Sequence, residues 1–296
     1  MNDFNTITLD QGRPLAYGRY GRPGGRPLYF LHGFPGCRLQ AALVHEEAER
    51  AGVELIAPDR PGFGRSGPAA RRTVLSWADD LARLADHLGH DRFGVVGVSC
   101  GGPYALACAH RLPQRLDYVG LMAGMGPMDR PAIRTKQLPV LTGLFALARR
   151  HPLLASPLLA MDWLMFRTQP ERAVRALAGM LSAPDRELLA KDSAVSARFG
   201  ASLAEAYAGG LRGALCEAHL IGSPRGFALQ DIRSPVHLYQ GGQDRHVPPE
   251  MGRYLADTIS GGRLHFYPEE GHLSILVLRF ADCLADFLAA PRGQAV

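Results

Sequence analysis

Apolar positions along the chain follow two alternating periods. Up to about residue 126, short β-rich runs are separated by segments in which apolar residues return every three to four positions. In one such segment, 75–89, Leu and Ala fall on one face while Asp and Arg fall on the other. We predict strands at 6–9, 15–20, 28–31, 53–57, 93–98 and 118–122, with helices near 39–51, 75–89 and 102–111. This alternation requires crossover connections and predicts an α/β fold with a mostly parallel sheet flanked by helices.

The pattern changes between residues 127 and 227. This stretch has almost no strand signal, and its Leu-, Ala- and Met-rich segments are punctuated by prolines, which is typical of several short helices. The first pattern then resumes, with strands predicted at 236–239 and 264–267 and helices near 249–259 and 273–290. We therefore predict a core made of residues 1–126 and 228–296, and a helical cap inserted at 127–227.

Composition narrows the class of protein. The 296 residues are 47% apolar, and the net charge of +5 comes from 33 basic and 28 acidic residues that form no block. A nucleic-acid-binding protein would concentrate its basic residues, so we predict no nucleic-acid partner. Five cysteines without a Cys-x-x-Cys pair suggest reduced thiols, and no signal peptide or membrane-length apolar run is found. We expect a soluble cytoplasmic protein that acts on a small molecule without a membrane partner, with a homodimer as a candidate assembly.

Ser99 is the candidate nucleophile. It lies in Gly97-Val98-Ser99-Cys100-Gly101, between an apolar strand and an Ala-rich helix. The pattern Gly-x-Ser-x-Gly is weak by itself, but in this context it is typical of a sharp strand-to-helix turn that exposes the serine hydroxyl. A serine in an ordinary structural turn is the alternative.

A serine nucleophile needs a base and a carboxylate that orients the base. His272 and Asp244 each follow a predicted strand near the C-terminus, and such loops gather at one edge of a parallel sheet. We assign His272 as base and Asp244 as acid. Asp129, after the preceding strand, is the alternative acid, and His246 is the alternative base.

The segment His32-Gly33-Phe34-Pro35-Gly36 directly follows another strand. Acyl transfer creates an oxyanion, which two backbone N–H groups can stabilise. The N–H groups of Phe34 and Cys100 are the candidate donors by position. A plain Gly/Pro turn is the alternative.

Cofactor and metal motifs are lacking in the sequence. Residues 62–67 match Gly-x-Gly-x-x-Gly, but Pro68 follows and no helix begins there to receive a pyrophosphate. No His-Glu-x-x-His, clustered Cys/His or calcium-type Asp loop occurs. We predict an active site without cofactor or metal.

Five motifs together resemble the α/β-hydrolase superfamily, in that family's order and with the cap where the family carries its lid. They are HGFPG (32–36), DRPGFGRS (59–66), GVSCGG (97–102), GQDRHVP (242–248) and GH (271–272). The resemblance implies that Ser99, Asp244 and His272 are nucleophile, acid and base, and that Phe34 and Cys100 supply the oxyanion N–H groups. It also implies that 59–66 is a structural loop near the site.

Two positions depart from relatives within that superfamily. Haloalkane dehalogenases and epoxide hydrolases carry Asp at the nucleophile position, where this chain has Ser99, so their chemistry is not expected. Cys100 is a less usual neighbour of the nucleophile.

We predict a serine hydrolase that cleaves a carboxylic ester or lactone of a small, largely apolar substrate. The alternatives are a C–C bond hydrolase or perhydrolase using the same residues, and a ligand-binding protein without turnover.

Overall fold

Eight strands form one sheet in the computed structural model, which describes residues 4–293. Their spatial order is β1-β2-β4-β3-β5-β6-β7-β8, with β1 and β2 antiparallel to their neighbours and β3 to β8 parallel. The strands are β1 (Asn5–Thr8), β2 (Pro14–Gly21), β3 (Arg26–Leu31), β4 (Val53–Pro58), β5 (Phe93–Val98), β6 (Leu116–Met122), β7 (Val236–Gly241) and β8 (Gly262–Tyr267). The predicted mostly parallel sheet is confirmed.

Eleven α-helices accompany the sheet within the described part of the chain. They are α1 (His45–Arg50), α2 (Ser76–His87), α3 (Gly102–Arg111), α4 (Pro139–Arg150), α5 (Pro152–Thr168), α6 (Pro170–Ala178), α7 (Ala183–Lys191), α8 (Ser193–Ala206), α9 (Arg212–Gly222), α10 (Pro249–Thr258) and α11 (Ser274–Ala289). Strands β4, β5 and β7 are buried along their whole length, whereas the edge strand β8 is half exposed. Burial on both faces explains why these strands are mostly apolar, with Glu54, His237 and Gln240 as buried polar exceptions.

Helices α4 to α9 all lie between β6 and β7, where the sequence predicts a helical insertion. Prolines occupy the first turn of α4 to α7, where the missing N–H leaves no hydrogen bond unmade. Pro157 is different, since it lies inside α5. The Leu153 carbonyl, which a helix would pair with residue 157, instead accepts from the Ser156 hydroxyl at 2.6 Å, so α5 continues through the proline. The exact bounds of the cap, 127–227, stay a prediction.

One predicted helix is shorter than expected. The segment predicted at 39–51 consists of a 3-10 turn, Arg38–Val44, followed by α1. The turn begins where the Arg38 N–H and guanidinium both bind the buried Asp59 carboxylate, a contact that local periodicity does not encode.

No helix in the described range 4–293 combines the length and apolar character needed to cross a membrane.

Candidate active site

Ser99 lies at the sharp turn between β5 and α3. Its φ is +53°, an unfavourable value for a residue with a side chain. The two flanking glycines leave no room for a side chain. A Cβ on Gly97 would lie 2.5 Å from the Gly101 carbonyl oxygen, and a Cβ on Gly101 would lie 2.1 Å from the Leu31 carbonyl oxygen. The strained turn therefore presents Ser99 at the carboxyl end of β5, as the nucleophile hypothesis requires.

His272 and Asp244 meet at the same edge of the sheet. His272 Nδ1 lies 2.7 Å from Asp244 Oδ2, while Asp244 Oδ1 accepts the backbone N–H groups of His246 (2.8 Å) and Val247 (2.9 Å). Asp244 is buried, and these three hydrogen bonds fix its orientation. Burial lowers the pKa of His272, but the charge and hydrogen bond of Asp244 outweigh burial and raise it overall.

The two alternative residues occupy different positions. Asp129 is exposed, and no hydrogen bond joins it to His272 among the described residues. His246 stacks on His272 with ring centroids 4.9 Å apart. Burial, followed by the charge of His272, lowers the pKa of His246 to about 4, which keeps its imidazole neutral. His246 therefore packs against the candidate base.

Ser99 and His272 both line one cavity, although no hydrogen bond links them in the part of the chain that the structure describes. Phe34 and Cys100 line the same cavity. The Phe34 N–H has no hydrogen-bond acceptor among residues 4–293, and Cys100 lies in the first turn of the 3-10 segment Ser99–Gly101, where N–H groups lack a partner within the turn. Both N–H groups are thus available to an oxyanion.

Cys100 is not a rival nucleophile. Burial, and then the charge of Glu217, raises the pKa of its thiol to about 12. A thiol with that pKa stays protonated near neutral pH, and only the thiolate is a good nucleophile. The proposed mechanism therefore asks only the backbone N–H of the buried Cys100 to act.

An ion-pair network buttresses the loop that carries Phe34. The Arg60 guanidinium donates to the carbonyls of His32 (2.5 Å) and Gly33 (2.9 Å). It also pairs with Glu217 of α9 at 2.8 Å, and both charged groups are fully buried. Arg72 Nη2 lies 2.9 Å from the same carboxylate, which also accepts the Tyr104 hydroxyl at 2.8 Å. A residue of the helical insertion thus fixes the loop that carries Phe34 through Arg60.

A second carboxylate from the insertion fixes the loop that carries His272. Asp185 of α7 is fully buried and accepts the backbone N–H groups of His272, Leu273 and Ser274 at 2.8–2.9 Å. The Ser182 hydroxyl binds the same carboxylate at 2.8 Å. A Cβ on residue 271 would lie 2.0 Å from that hydroxyl oxygen, which explains the glycine before His272.

Three residues behind the site were not predicted from local sequence patterns: Asp185, Arg60 and Glu217. The pattern Ser182-Ala-Pro-Asp185 is a signal for a helix N-terminus, but it says nothing of the partner loop. Arg60 lies in a motif assigned only a structural role. Glu217 carries no local signal.

The cavity has a volume of about 400 Å³ and is mostly apolar. Leu159, Phe166 and Phe199 from the helical insertion form part of its wall, together with residues of the loops that carry Ser99 and His272. Its polar lining is Gln40, Ser99, Asp162, His246 and His272, and no Lys or Arg of the described range contributes. Some lining side chains are also exposed and mark the opening: Val140 of α4, Leu158 and Met161 of α5, and Met180, which follows α6.

Comparison with known proteins supports the architecture. The family model described as alpha/beta hydrolase fold matches residues 26–277. The chain is 29% identical to a 2-hydroxymuconate semialdehyde hydrolase of Pseudomonas sp. (strain CF600), covering 92% of this chain and 90% of that protein. It is 26% identical to a poly(3-hydroxyalkanoate) depolymerase of Ectopseudomonas oleovorans, covering 99% and 95%. The crystal structure of a hydrolase from Pseudomonas aeruginosa PA01 matches with a TM-score of 0.72 at 20% identity, covering 98% and 99%.

Proposed function

Because the chain belongs to the α/β-hydrolase fold family and is a hydrolase, we propose that it uses Ser99 to cleave a carboxylic ester or lactone of a small, largely apolar substrate. The observation that carries the proposal is the shared cavity, whose mostly apolar wall contains both the strained Ser99 and the Asp244-bound His272. Helices α4 to α9 serve as the cap in this proposal.

The proposed reaction has two steps. Ser99 Oγ attacks the acyl carbon while His272 takes the hydroxyl proton, and the resulting oxyanion accepts from the N–H groups of Phe34 and Cys100. The tetrahedral intermediate expels the alkoxide, which takes the proton from His272. Water then attacks the acyl-enzyme by the same route and releases the acid. Asp244 holds the imidazole tautomer and stabilises the imidazolium that forms in each step.

The cavity lining favours an uncharged acyl group. A carboxylate moved from water into an apolar cavity costs several kcal/mol unless a cation pairs with it. The described lining offers no Lys or Arg, and it contains the carboxylate-bearing side chain of Asp162. Apolar acyl chains, in contrast, would contribute about 0.8 kcal/mol for each CH₂ that they bury.

A C–C bond hydrolase is the second candidate, because a relative named as a 2-hydroxymuconate semialdehyde hydrolase matches 92% of the chain. Ring-cleavage products of that kind carry a carboxylate, which this cavity would have to bind without a cation in its described lining. We therefore rank this function below ester or lactone hydrolysis. A perhydrolase would use the same residues.

The test compares nitrophenyl esters of short, medium and long acyl chains, alkyl lactones and a ring-cleavage dienoate as substrates. We expect kcat/KM to be higher for the esters or lactones than for the dienoate. Ser99→Ala should lower kcat by about 10⁶-fold, as in other serine enzymes. Ser193→Ala, which changes an exposed serine of α8, is the matched control.

Fluorophosphonate labelling separates the mechanism from the substrate class. The label should appear on the peptide that contains Ser99 in the wild type and in Ser193→Ala, and should be absent from Ser99→Ala. Hydrolysis at one tenth of the wild-type rate in Ser99→Ala would exclude Ser99 as nucleophile. Dienoate cleavage faster than ester cleavage, with normal labelling, would instead favour the C–C hydrolase.

A further inference from the structure

Two histidines and an aspartate form a cluster away from the cavity. His237 lies near the start of β7, His265 lies on the adjacent strand β8, and Asp286 lies on α11. The segment from His237 to Gly241 spans about 13 Å along the strand, and Asp244 follows only after its end. The cluster therefore lies toward the opposite end of β7 from the proposed active site, and none of its three members lines the cavity.

Three donor atoms of the cluster form a nearly equilateral triangle. His237 Nδ1 lies 3.3 Å from His265 Nε2 and 3.3 Å from Asp286 Oδ2, and His265 Nε2 lies 3.4 Å from Asp286 Oδ2. Hydrogen bonds from an imidazole to a carboxylate have typical lengths of about 2.7–2.9 Å. Both separations from Asp286 Oδ2 exceed that range, so imidazole–carboxylate hydrogen bonding is a poor explanation of the arrangement.

The triangle matches one face of a tetrahedral metal site. Ligands arranged tetrahedrally about 2.0–2.1 Å from Zn²⁺ lie about 3.3–3.4 Å from one another. An octahedral site with the same bond lengths would place neighbouring ligands about 2.9–3.0 Å apart. We propose that His237, His265 and Asp286 form a Zn²⁺-binding site, whose fourth ligand is water.

The surroundings fit this assignment. The Tyr239 hydroxyl donates to Asp286 Oδ2 at 2.5 Å and is itself paired with the Tyr118 hydroxyl at 2.8 Å. Hydrogen bonds of this kind orient a ligating carboxylate. The side chains of His265 and Asp286 are 31% and 32% exposed, so an ion and its water can enter from solvent.

Binding of Zn²⁺ would tie the edge strand β8 to β7 and α11. The loop between β8 and α11 carries His272, so the metal would stabilise both elements that flank this loop. The site takes no part in the proposed hydrolysis. Its role is structural, and it is testable without an activity assay.

The experiment titrates Co²⁺ into untagged, metal-free protein and records the visible spectrum, because tetrahedral Co²⁺ absorbs much more strongly than octahedral Co²⁺. We expect an intense tetrahedral band that stoichiometric Zn²⁺ abolishes, and a rise in Tm with Zn²⁺. His265→Asn and Asp286→Asn should each weaken Zn²⁺ binding by more than about 100-fold and remove the rise in Tm. His87→Asn, at an exposed histidine of α2, should bind as the wild type does.

Two outcomes would overturn the proposal. One is the absence of a tetrahedral band in the wild type at saturating Co²⁺, which would leave only a hydrogen-bonded cluster. The other is a band that His265→Asn and Asp286→Asn retain but His272→Asn loses, which would place the metal at the proposed active site. Thermal unfolding of each variant without metal confirms that the variants are folded.

Discussion

Asp185→Asn tests whether the insertion positions the proposed base. The substitution keeps the size of the side chain but replaces one carboxylate oxygen by an NH₂ group, which cannot accept. Asp185 accepts four hydrogen bonds, from three backbone N–H groups of residues 272–274 and from Ser182. Each carboxylate oxygen accepts two of these four hydrogen bonds, and the side chain is fully buried. In the variant, the NH₂ group therefore faces two donors that have lost their acceptor.

The structure sets the expected magnitude. Two of the four donors lose their acceptor, and each such loss costs about 1–3 kcal/mol when the group is buried. Removing a negative charge from the N-terminus of α11 adds about 0.3–1 kcal/mol. We therefore expect the free energy of unfolding to fall by about 2–7 kcal/mol. A displacement of His272 by about 1 Å would lower kcat by about 100-fold.

Urea unfolding and steady-state kinetics on a nitrophenyl ester measure both effects. The charge of Asp185 also raises the pKa of His272, so the acid limb of the kcat profile should shift to lower pH in the variant. Glu187→Gln is the matched control, because Glu187 is an exposed acid on the same helix whose partner is Lys191. It should change stability by no more than about 0.5 kcal/mol.

Stability and kinetics together decide the role of Asp185. Asp185→Asn protein that is less stable, but has wild-type kcat and the wild-type pH profile while folded, would limit Asp185 to a structural role. Unchanged stability would refute the hydrogen-bond argument itself.

Two further predictions concern the charges around the site. His272 must be neutral to act as a base, and Asp244 raises its pKa, so wild-type kcat should rise with pH through a pKa above 6.5. Asp244→Asn should move this rise to lower pH and reduce kcat by about 10⁴-fold. Asp129→Asn, in contrast, should leave the pH–rate profile unchanged. A larger loss of kcat in Asp129→Asn than in Asp244→Asn would identify Asp129 as the acid instead. Glu217→Gln should lower the free energy of unfolding by about 3–5 kcal/mol, since it leaves the two buried arginines, Arg60 and Arg72, without their carboxylate. It should also lower kcat by about 10²-fold with little change in KM. Wild-type kcat in the folded fraction of that variant would refute the link from Glu217 to the proposed oxyanion donor Phe34.

The sequence predicts the sheet and the three proposed catalytic residues because both depend on local patterns. Apolar runs of strand length identify the central strands, which are buried on both faces. The loops after parallel strands all lie at one edge of the sheet, so a residue directly after a strand is confined to that edge. The contact between Asp244 and His272, 28 positions apart, follows from that rule.

The charged residues behind the site could not be predicted in this way. Asp185 contacts residues 87 to 89 positions later, and Glu217 contacts Tyr104 across 113 positions. Helical periodicity places each residue on one face of its helix but does not specify which loop that face meets. Those pairings depend on how the insertion packs on the sheet. The cluster of His237, His265 and Asp286 is likewise formed by strand register and helix packing.

The two buried carboxylates limit how a substrate can reach Ser99. If α7 and α9 moved away together from the sheet, Asp185 would leave three backbone N–H groups without an acceptor, and Glu217 would leave Arg60 and Arg72 unpaired. Breaking one buried ion pair costs about 3–5 kcal/mol, so such a state would be populated well below one molecule in a hundred. Helices α4 and α5, with Met180 just after α6, supply the exposed side chains at the cavity opening and hold neither carboxylate. We therefore expect substrate to enter by movement of these side chains and helices, while the loops that hold the proposed base and oxyanion donors stay fixed.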